Sequence, residues 1–192
     1  MAPPCAPTRQ RPGREKKDED RVLSHEESQH KQALGLSRGG LGTKVNVLCE
    51  GRGLPISVTV TAGQQSETTQ VVPLLDQRRI TGKRGAPRRR FAAVAGDKLY
   101  DIPRVRQEIS QRGSRPVIAH KKRYPDGSYP PEAQGFDKPL YRRRTVVERL
   151  ISRLKEWRAI ATRYEKLAES FKSVILLRFI RIWLHDLLSY TP

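Results

Sequence analysis

Four residues in the last third of the chain have types and a spacing that could bring a metal ion and a phosphate together. They are Tyr141, Arg144, Glu148 and Lys155, in the pattern Y-x2-R-x3-E-x6-K. Because a helix turns by about 100° per residue, offsets of 3, 7 and 14 from the tyrosine fall close to one line along its surface. One carboxylate therefore shares a face with two cations and a phenol. This combination is poor for a core and well suited to holding a metal ion beside phosphates.

A second carboxylate follows a short apolar run upstream. Residues 91–95 predict a buried strand, and Asp97 comes directly after it. Mg²⁺ and Mn²⁺ prefer carboxylate oxygens, and two such ions about 4 Å apart can activate water and stabilise the leaving oxygen in phosphoryl transfer. We therefore expect the carboxylates of Asp97 and Glu148 to approach within roughly 8 Å. The alternative is structural, with an aspartate that caps a turn and a glutamate paired to a neighbouring arginine.

The net charge indicates a polyanionic partner. The chain has 38 Lys and Arg against 20 Asp and Glu, a net charge of +18 in 192 residues. Most of this excess lies beyond residue 33, where arginine predominates. Arginine matches phosphate oxygens with paired hydrogen bonds, so nucleic acid is the simplest partner. Charge alone does not separate an enzyme from a structural nucleic-acid binder.

Three basic clusters flank the presumed site in sequence. Such runs are ordinarily solvated surface, but their position beside the carboxylates favours contact with backbone phosphates. Nothing among them indicates base readout. The clusters are Arg88, Arg89 and Arg90; Lys121, Lys122 and Arg123; and Arg142, Arg143 and Arg144.

The remaining pattern predicts an α/β domain over residues 34–192. Residues 36–44 indicate a flexible turn, and Val45–Cys49 with Ile56–Thr61 indicate an antiparallel hairpin. A helix is expected over 66–80, and another over 102–112 that Asp101 would cap. A strand is expected over 116–119, a long helix over 140–158 and a last helix over 165–188. Strands mixed with helices are typical of an α/β sheet domain.

Residues 1–33 are rich in Pro, Arg and Glu and lack apolar periodicity, which predicts a disordered or loosely structured tail. Cys5 and Cys49 lie far apart and have no metal-binding spacing, so a reduced, cytoplasmic setting is expected. No run of 18 apolar residues and no signal-peptide core is present, so we predict neither a membrane span nor export.

The motif of Tyr141, Arg144, Glu148 and Lys155 resembles that of the DDE transposases of bacterial insertion sequences, in the group with a YREK signature. The resemblance runs from about residue 34 to the end. It also includes the segments LSRGGLGTK at 36–44, TAGQ at 61–64, GDKLYD at 96–101 and ATRYEK at 161–166.

This resemblance implies an RNase H-like mixed sheet flanked by helices, with a metal-binding triad of two Asp and one Glu. Asp97 matches the second Asp of the family and Glu148 matches the Glu. Tyr141, Arg144 and Lys155 match residues that contact DNA near the scissile bond. The first Asp of the family lies on a strand ahead of the Ser-Arg-Gly-Gly turn, and nothing in residues 1–33 indicates such a strand, since Asp18 and Asp20 lie in a charged run.

The sequence thus predicts part of a transposase that acts on double-stranded DNA with Mg²⁺ or Mn²⁺. The expected partners are DNA and a second copy of the chain on that DNA, or the product of an upstream reading frame. Because the first Asp is not evident, we expect no metal-dependent cleavage by the chain alone. The alternative is a non-catalytic basic nucleic-acid-binding protein, such as a transposase remnant that only binds DNA.

Overall fold

A computed structural model describes residues 31–77, 80–81, 87–88, 90–122, 124 and 127–189. Most of the predicted tail, residues 1–30, therefore lies outside the described residues. In the described part the fold is mixed α/β, as expected, and its strands form three small sheets. None of the helices there combines the length and the hydrophobicity that a membrane crossing requires.

The first sheet is antiparallel and contains β1 (Gly35–Ser37), β2 (Gly40–Cys49) and β3 (Pro55–Ala62). The predicted hairpin is confirmed, because β2 and β3 pair from Thr43 with Ala62 to Cys49 with Pro55. The prediction of a flexible turn over 36–44 is wrong. Leu36 pairs with Leu41, and the tight connection closes with Gly40 at a φ of 102° and the Ser37 hydroxyl donating to the Gly40 carbonyl.

A short helical segment and a small hairpin follow. The predicted helix over 66–80 is shorter, with a 3-10 turn at Glu67–Gln70 and helix α1 at Val71–Asp76. Pro73 is tolerated because it lies in the first turn, where backbone N–H groups have no partner within the helix. The strands β4 (Ile80–Thr81) and β5 (Pro87–Arg88) then form a two-stranded antiparallel sheet.

The third sheet is a parallel pair connected by a helix. Its elements are β6 (Ala93–Gly96), a 3-10 turn at Lys98–Tyr100, helix α2 (Pro103–Gln111) and β7 (Arg115–Ile118). Both predicted strands and the predicted helix are confirmed within two residues at each end. The capping role of Asp101 is wrong, because Ile102 is the residue at the N-cap and the buried Asp101 side chain binds Arg106 and the Lys121 backbone instead.

Four helices complete the fold: α3 (Lys138–Arg142), α4 (Thr145–Lys155), α5 (Arg158–Ala161) and α6 (Ala168–Ser189). The predicted single helix over 140–158 is therefore wrong. Between α3 and α4 the chain tightens into hydrogen bonds three residues apart, from Arg143 N–H to Leu140 through Val147 N–H to Arg144. Extended backbone at Trp157 then separates α4 from α5.

Two groups of apolar side chains form the core. The larger lies between the β2–β3 hairpin and helices α4, α5 and α6; its buried members are Leu54, Val58, Leu150, Leu154, Ile160, Phe171, Ile175, Phe179 and Ile182. The smaller lies beside the β6–β7 pair; its buried members are Leu75, Val105, Ile109 and Ile118. Leu48 of β2 packs against the smaller group, so the hairpin contacts both cores.

Candidate metal and nucleic-acid site

Asp97 lies where strand β6 ends and the 3-10 turn begins, as the sequence predicts. Its Oδ1 accepts a hydrogen bond of 2.8 Å from the Lys98 backbone N–H, which fixes the side chain at the start of that turn. The carboxylate stays 56% exposed. Tyr100 lies two positions after this turn begins, and burial together with the charges of Glu67 and Asp97 raises the pKa of its phenol to about 12. The phenol therefore remains protonated beside the carboxylate at neutral pH.

The end of α3 brings a second phenol to Asp97. The Tyr141 hydroxyl donates to Asp97 Oδ1 over a long 3.4 Å, and the Tyr141 ring lies 5.2 Å from the ring of Phe136. The Arg144 guanidinium lies over the ring of this tyrosine, 5.2 Å from the ring centroid. Tyr141 thus links the strand end to the tight turn before α4.

One guanidinium contacts both carboxylates. Arg144 Nη1 lies 2.8 Å from Glu148 Oε1, and Arg144 Nη2 lies 3.9 Å from Asp97 Oδ1. Partial burial opposes the charge of Arg144, but Tyr141, Asp97 and Glu148 outweigh it and raise the pKa of the guanidinium above its usual value. Asp97 and Glu148 therefore lie on the same side of the molecule, within reach of a single side chain.

Both interpretations of the two carboxylates find support in these contacts. Asp97 does cap a turn and Glu148 does pair with a neighbouring arginine, as the structural alternative predicts. The same arginine also joins the two acids, which that alternative does not require. The Glu148 side chain is 59% exposed, so both carboxylates open to solvent.

Two exposed carboxylates on one face fit a hard divalent cation, whose preferred ligands are carboxylate oxygens and water. Within the described ranges, no group of three or more His, Cys, Asp or Glu side chains could hold a metal ion. Asp97 and Glu148 could therefore supply at most two carboxylate ligands of a larger set. Arg144 contacts one oxygen of each carboxylate, so it would have to shift for both of those oxygens to bind an ion.

Several predicted phosphate-binding residues lie near these two acids. Lys155 ends α4 two turns beyond Glu148 and is exposed, which places it on the same helix face. Lys121 reaches the turn after Asp97, where its Nζ donates to the Leu99 carbonyl over 3.4 Å. Arg142 and Arg143 are exposed at the end of α3, but the Arg143 guanidinium lies near Gly51 in the turn between β2 and β3.

Other predicted residues are not brought to this place. Arg90 packs against Gly113, which precedes β7, whereas Asp97 follows the other end of the parallel pair. The four-residue strand β6, about 13 Å long, therefore separates the two residues. Lys122 is exposed and lies 5.9 Å from the ring of Tyr129. Arg88 belongs to β5, its side chain is not described, and Arg89 and Arg123 lie outside the described residues.

Sequence reasoning missed a buried ionic cluster that supports the site. Asp101 Oδ1 accepts from Arg106 Nε at 2.8 Å, and Asp101 Oδ2 accepts from the Lys121 backbone N–H at 2.7 Å. Arg106 Nη2 also donates to the Ile118 carbonyl at 2.7 Å. The His120 Nδ1 lies 3.4 Å from Arg106 Nη2 and 3.7 Å from Asp101 Oδ1. The cluster joins the turn after β6 to the loop after β7. No local pattern could reveal it, because the bond from Asp101 to Lys121 spans 20 residues.

The chain is similar to known transposases. Residues 14–183 match the family of transposase DDE domains, and the chain therefore belongs to this family. It is 33% identical over 129 residues to a Burkholderia cepacia protein whose name assigns it as the transposase for insertion sequence element IS402. This match includes 67% of the present chain and 56% of the relative, so the chain spans little more than half of that protein.

A second relative is matched over almost its whole length. The chain is 29% identical over 142 residues to a Brucella ovis protein whose name assigns it to insertion sequence element IS6501. The match includes 74% of the present chain and 98% of that relative. No solved structure matches the chain.

Proposed function

We propose that this chain supplies two metal-binding carboxylates and a phosphate-binding face to a transposase that cleaves and rejoins double-stranded DNA. The observation that carries the proposal is the contact of Arg144 with both Asp97 and Glu148. Membership of the transposase DDE domain family supports the class of reaction. An Asp at the end of a strand in a parallel pair, beside an antiparallel hairpin, supports an RNase H-like arrangement.

The residues of the chain have separable roles in this proposal. Asp97 and Glu148 would hold Mg²⁺ or Mn²⁺, and a divalent ion bound there would supply Lewis-acid activation of a phosphodiester and its nucleophile. Arg144 pairs with one oxygen of each carboxylate in the structure. Once it releases them, its planar donors become available to a DNA phosphate. Lys155 and Lys121 add positive charge on either side of the acids.

The partners follow from the same reasoning. Double-stranded DNA is the expected substrate, and pairing with a second copy on that DNA or with the product of an upstream reading frame stays a prediction, as does a cytoplasmic setting. The chain alone is expected to leave supercoiled plasmid uncut in Mg²⁺ or Mn²⁺. Among the described residues, Asp97 and Glu148 bring two carboxylates to the proposed metal site, and the family's triad needs a third. Robust nicking that Asp97→Ala abolishes would show that the chain carries a complete site.

The rival function is DNA binding without catalysis, and the effect of metal on DNA affinity separates the two. We expect Mn²⁺ to strengthen duplex binding by wild-type protein several-fold relative to Glu148→Gln at matched ionic strength, because carboxylates and a phosphate can share the ion. Asp97→Asn should lose the same gain. Glu169→Gln, an exposed acid on α6, should keep it. Equal responses in all four proteins would favour the non-catalytic binder.

A further inference from the structure

The end of the β1–β2 hairpin presents two large apolar side chains to solvent. Leu36 and Leu41 are directly opposite each other in the antiparallel pair, and they are 72% and 68% exposed. Side chains of directly opposite residues lie on the same face of the two strands, with their Cβ atoms about 5 Å apart. The two leucines therefore form one apolar projection. We refer to residues 36–42 as the hairpin tip.

The charge around this projection is positive. Arg38 is exposed in the closing turn between the two leucines. A shallow depression beside the turn includes Arg38 and Lys44 in its lining, and no acidic side chain is among the described residues that line it. An apolar projection flanked by cations fits a polyanion that also has apolar surface to offer. Duplex DNA is such a partner, because its base pairs are accessible in the grooves between the phosphates.

A glycine in the hairpin tip has no structural reason among the described residues. Gly42 lies in β2 with a φ outside the left-handed region, and a Cβ atom added there would meet no described atom within 4 Å. Its partner Gly35 differs, because the Gln64 side chain occupies the place of a Cβ. Glycine within a strand often marks a place where another molecule approaches the backbone closely. Gly42 therefore supports the same conclusion as the leucines.

The hairpin tip is connected to the surroundings of Asp97. Lys44, two residues beyond the tip, donates to the Gln65 carbonyl at 3.0 Å and lies 3.4 Å from Glu67. The charges of Glu67 and Asp97 both raise the pKa of the Tyr100 phenol, so both acids lie near it. DNA that reaches the candidate metal site therefore passes close to the base of the hairpin tip.

We propose that the hairpin tip enters the minor groove of duplex DNA, with Leu36 and Leu41 as an apolar wedge and Arg38 in the groove. Apolar wedges of this kind separate neighbouring base pairs and bend the duplex, and arginine is a common minor-groove contact. The inference rests on the proposed function, because it takes DNA as the partner. It adds a contact that needs no metal and is separate from the face of α4.

The test measures affinity and bending for an A·T-rich duplex of about 30 base pairs, in about 0.1 M salt without divalent ions. Fluorescence anisotropy reports the affinity of the full chain, and energy transfer between dyes at the two ends reports the bend. Wild-type protein should bend the duplex. Netropsin, which occupies the minor groove of A·T base pairs, should weaken its binding by about threefold or more.

Removal of the wedge should abolish most of the bend. Leu36→Ser with Leu41→Ser should also weaken binding roughly tenfold, because the apolar contacts with the bases are lost. The slope of log K against log salt should stay as in wild type, since no charge changes. The matched control is Leu184→Ser with Leu187→Ser on α6, a pair that is 52% and 62% exposed. This control should bind and bend DNA as wild type does.

Gly42→Val separates close approach to DNA from stability. Valine favours extended backbone and its side chain would enter open space, so the free energy of unfolding in urea should be unchanged or higher. Affinity for the duplex should nevertheless fall by about fivefold or more, because the added side chain keeps the backbone away from the groove. A purely structural role for Gly42 would not combine equal stability with weaker binding.

The outcomes distinguish this inference from the proposed function. Wild-type protein that binds no duplex would overturn both. Binding that netropsin leaves unchanged would overturn the minor-groove contact alone. So would wild-type affinity and bending in both tip variants while Arg144→Ala still weakens binding.

Discussion

Helices α4 and α6 pack on the same core and present opposite chemistry to solvent. α4 buries Leu150 and Leu154 and exposes Glu148 and Lys155 on its outer side. α6 buries Phe171, Ile175, Phe179 and Ile182 and exposes leucines and an isoleucine on its outer side. A charged outer side suits phosphate and metal, whereas an apolar outer side suits another protein surface. The inner faces of both helices form the larger core, whereas their outer faces differ in charge and hydrophobicity.

The sharpest contrast between inner and outer positions lies within α4. Leu154→Ala should destabilise the chain by about 2–5 kcal/mol, because it leaves a cavity in the larger core. Lys155→Ala, one residue further on and exposed, should change stability by less than about 0.5 kcal/mol. Urea unfolding followed by circular dichroism measures both. Similar losses for the two variants would mean that α4 does not pack as described.

A second prediction concerns the link between the two helices. Arg178 of α6 donates to the Arg153 carbonyl and to Glu156, and its guanidinium lies 5.2 Å from the Trp157 ring. Arg178→Ala should cost about 2–3 kcal/mol, since the buried guanidinium and a partly buried carbonyl near the end of α4 lose their hydrogen bonds. Glu156→Ala should cost less than about 1 kcal/mol, because the Glu156 side chain is 63% exposed. The reverse order in urea unfolding would contradict this assignment of roles.

The third prediction separates the outer sides by their affinity for DNA. Arg144→Ala and Lys155→Ala should each reduce the slope of log K against log salt by about one unit, if each neutralises one phosphate. Lys172→Ala on α6 should leave the slope unchanged. Glu148→Gln should bind equally well or better without metal, because it removes a negative charge that faces DNA. The measurement is a salt titration of duplex binding without divalent ions. Equal slopes for all these proteins would mean that DNA does not meet the α4 face.

The smallest expected effect is a dependence of stability on pH from Cys49, a partly buried thiol of β2 against the larger core. Burial, with the neighbouring Glu50 charge, raises the pKa of this thiol to about 11. Between about pH 9 and pH 11 the unfolded chain loses the thiol proton while the folded chain keeps it. The folded state therefore binds more protons in this range, and the stability of the fold falls as the pH rises. The contribution is complete below about pH 9 and is lost as the pH rises to about 11. Urea unfolding of Cys49→Ala should show a flatter alkaline decline than wild type.

Local patterns predicted the parts of the fold that depend on neighbouring residues. The β2–β3 hairpin and the position of Asp97 after β6 follow from short apolar runs and the turns between them. The break between α3 and α4 could not be predicted, because Tyr141, Arg143 and Arg144 are compatible with a continuous helix. Contact with Asp97 across 44 residues accompanies the tighter turn.

The side chains of α6 show a second limit. Leu177, Ile180, Trp183 and Leu187 are apolar positions of the predicted last helix, as are Phe171 and Ile182. The structure buries the latter two and exposes the former four. Where large apolar residues lie on two opposite sides of a helix, they do not indicate which side the core will cover, since periodicity marks a buried face only when the other face is polar.

The most direct test of the central claim is whether Asp97 and Glu148 act as one cation site. Mn²⁺ binding by the DNA-free chain can be measured by the loss of the free-ion electron paramagnetic resonance signal. Asp97→Asn and Glu148→Gln should each lower the affinity, and the double variant should lose little more than either single one, because two ligands of one ion are not independent. Glu169→Gln should bind as wild type does. Losses that simply add in the double variant, or no loss in either single variant, would contradict a shared site.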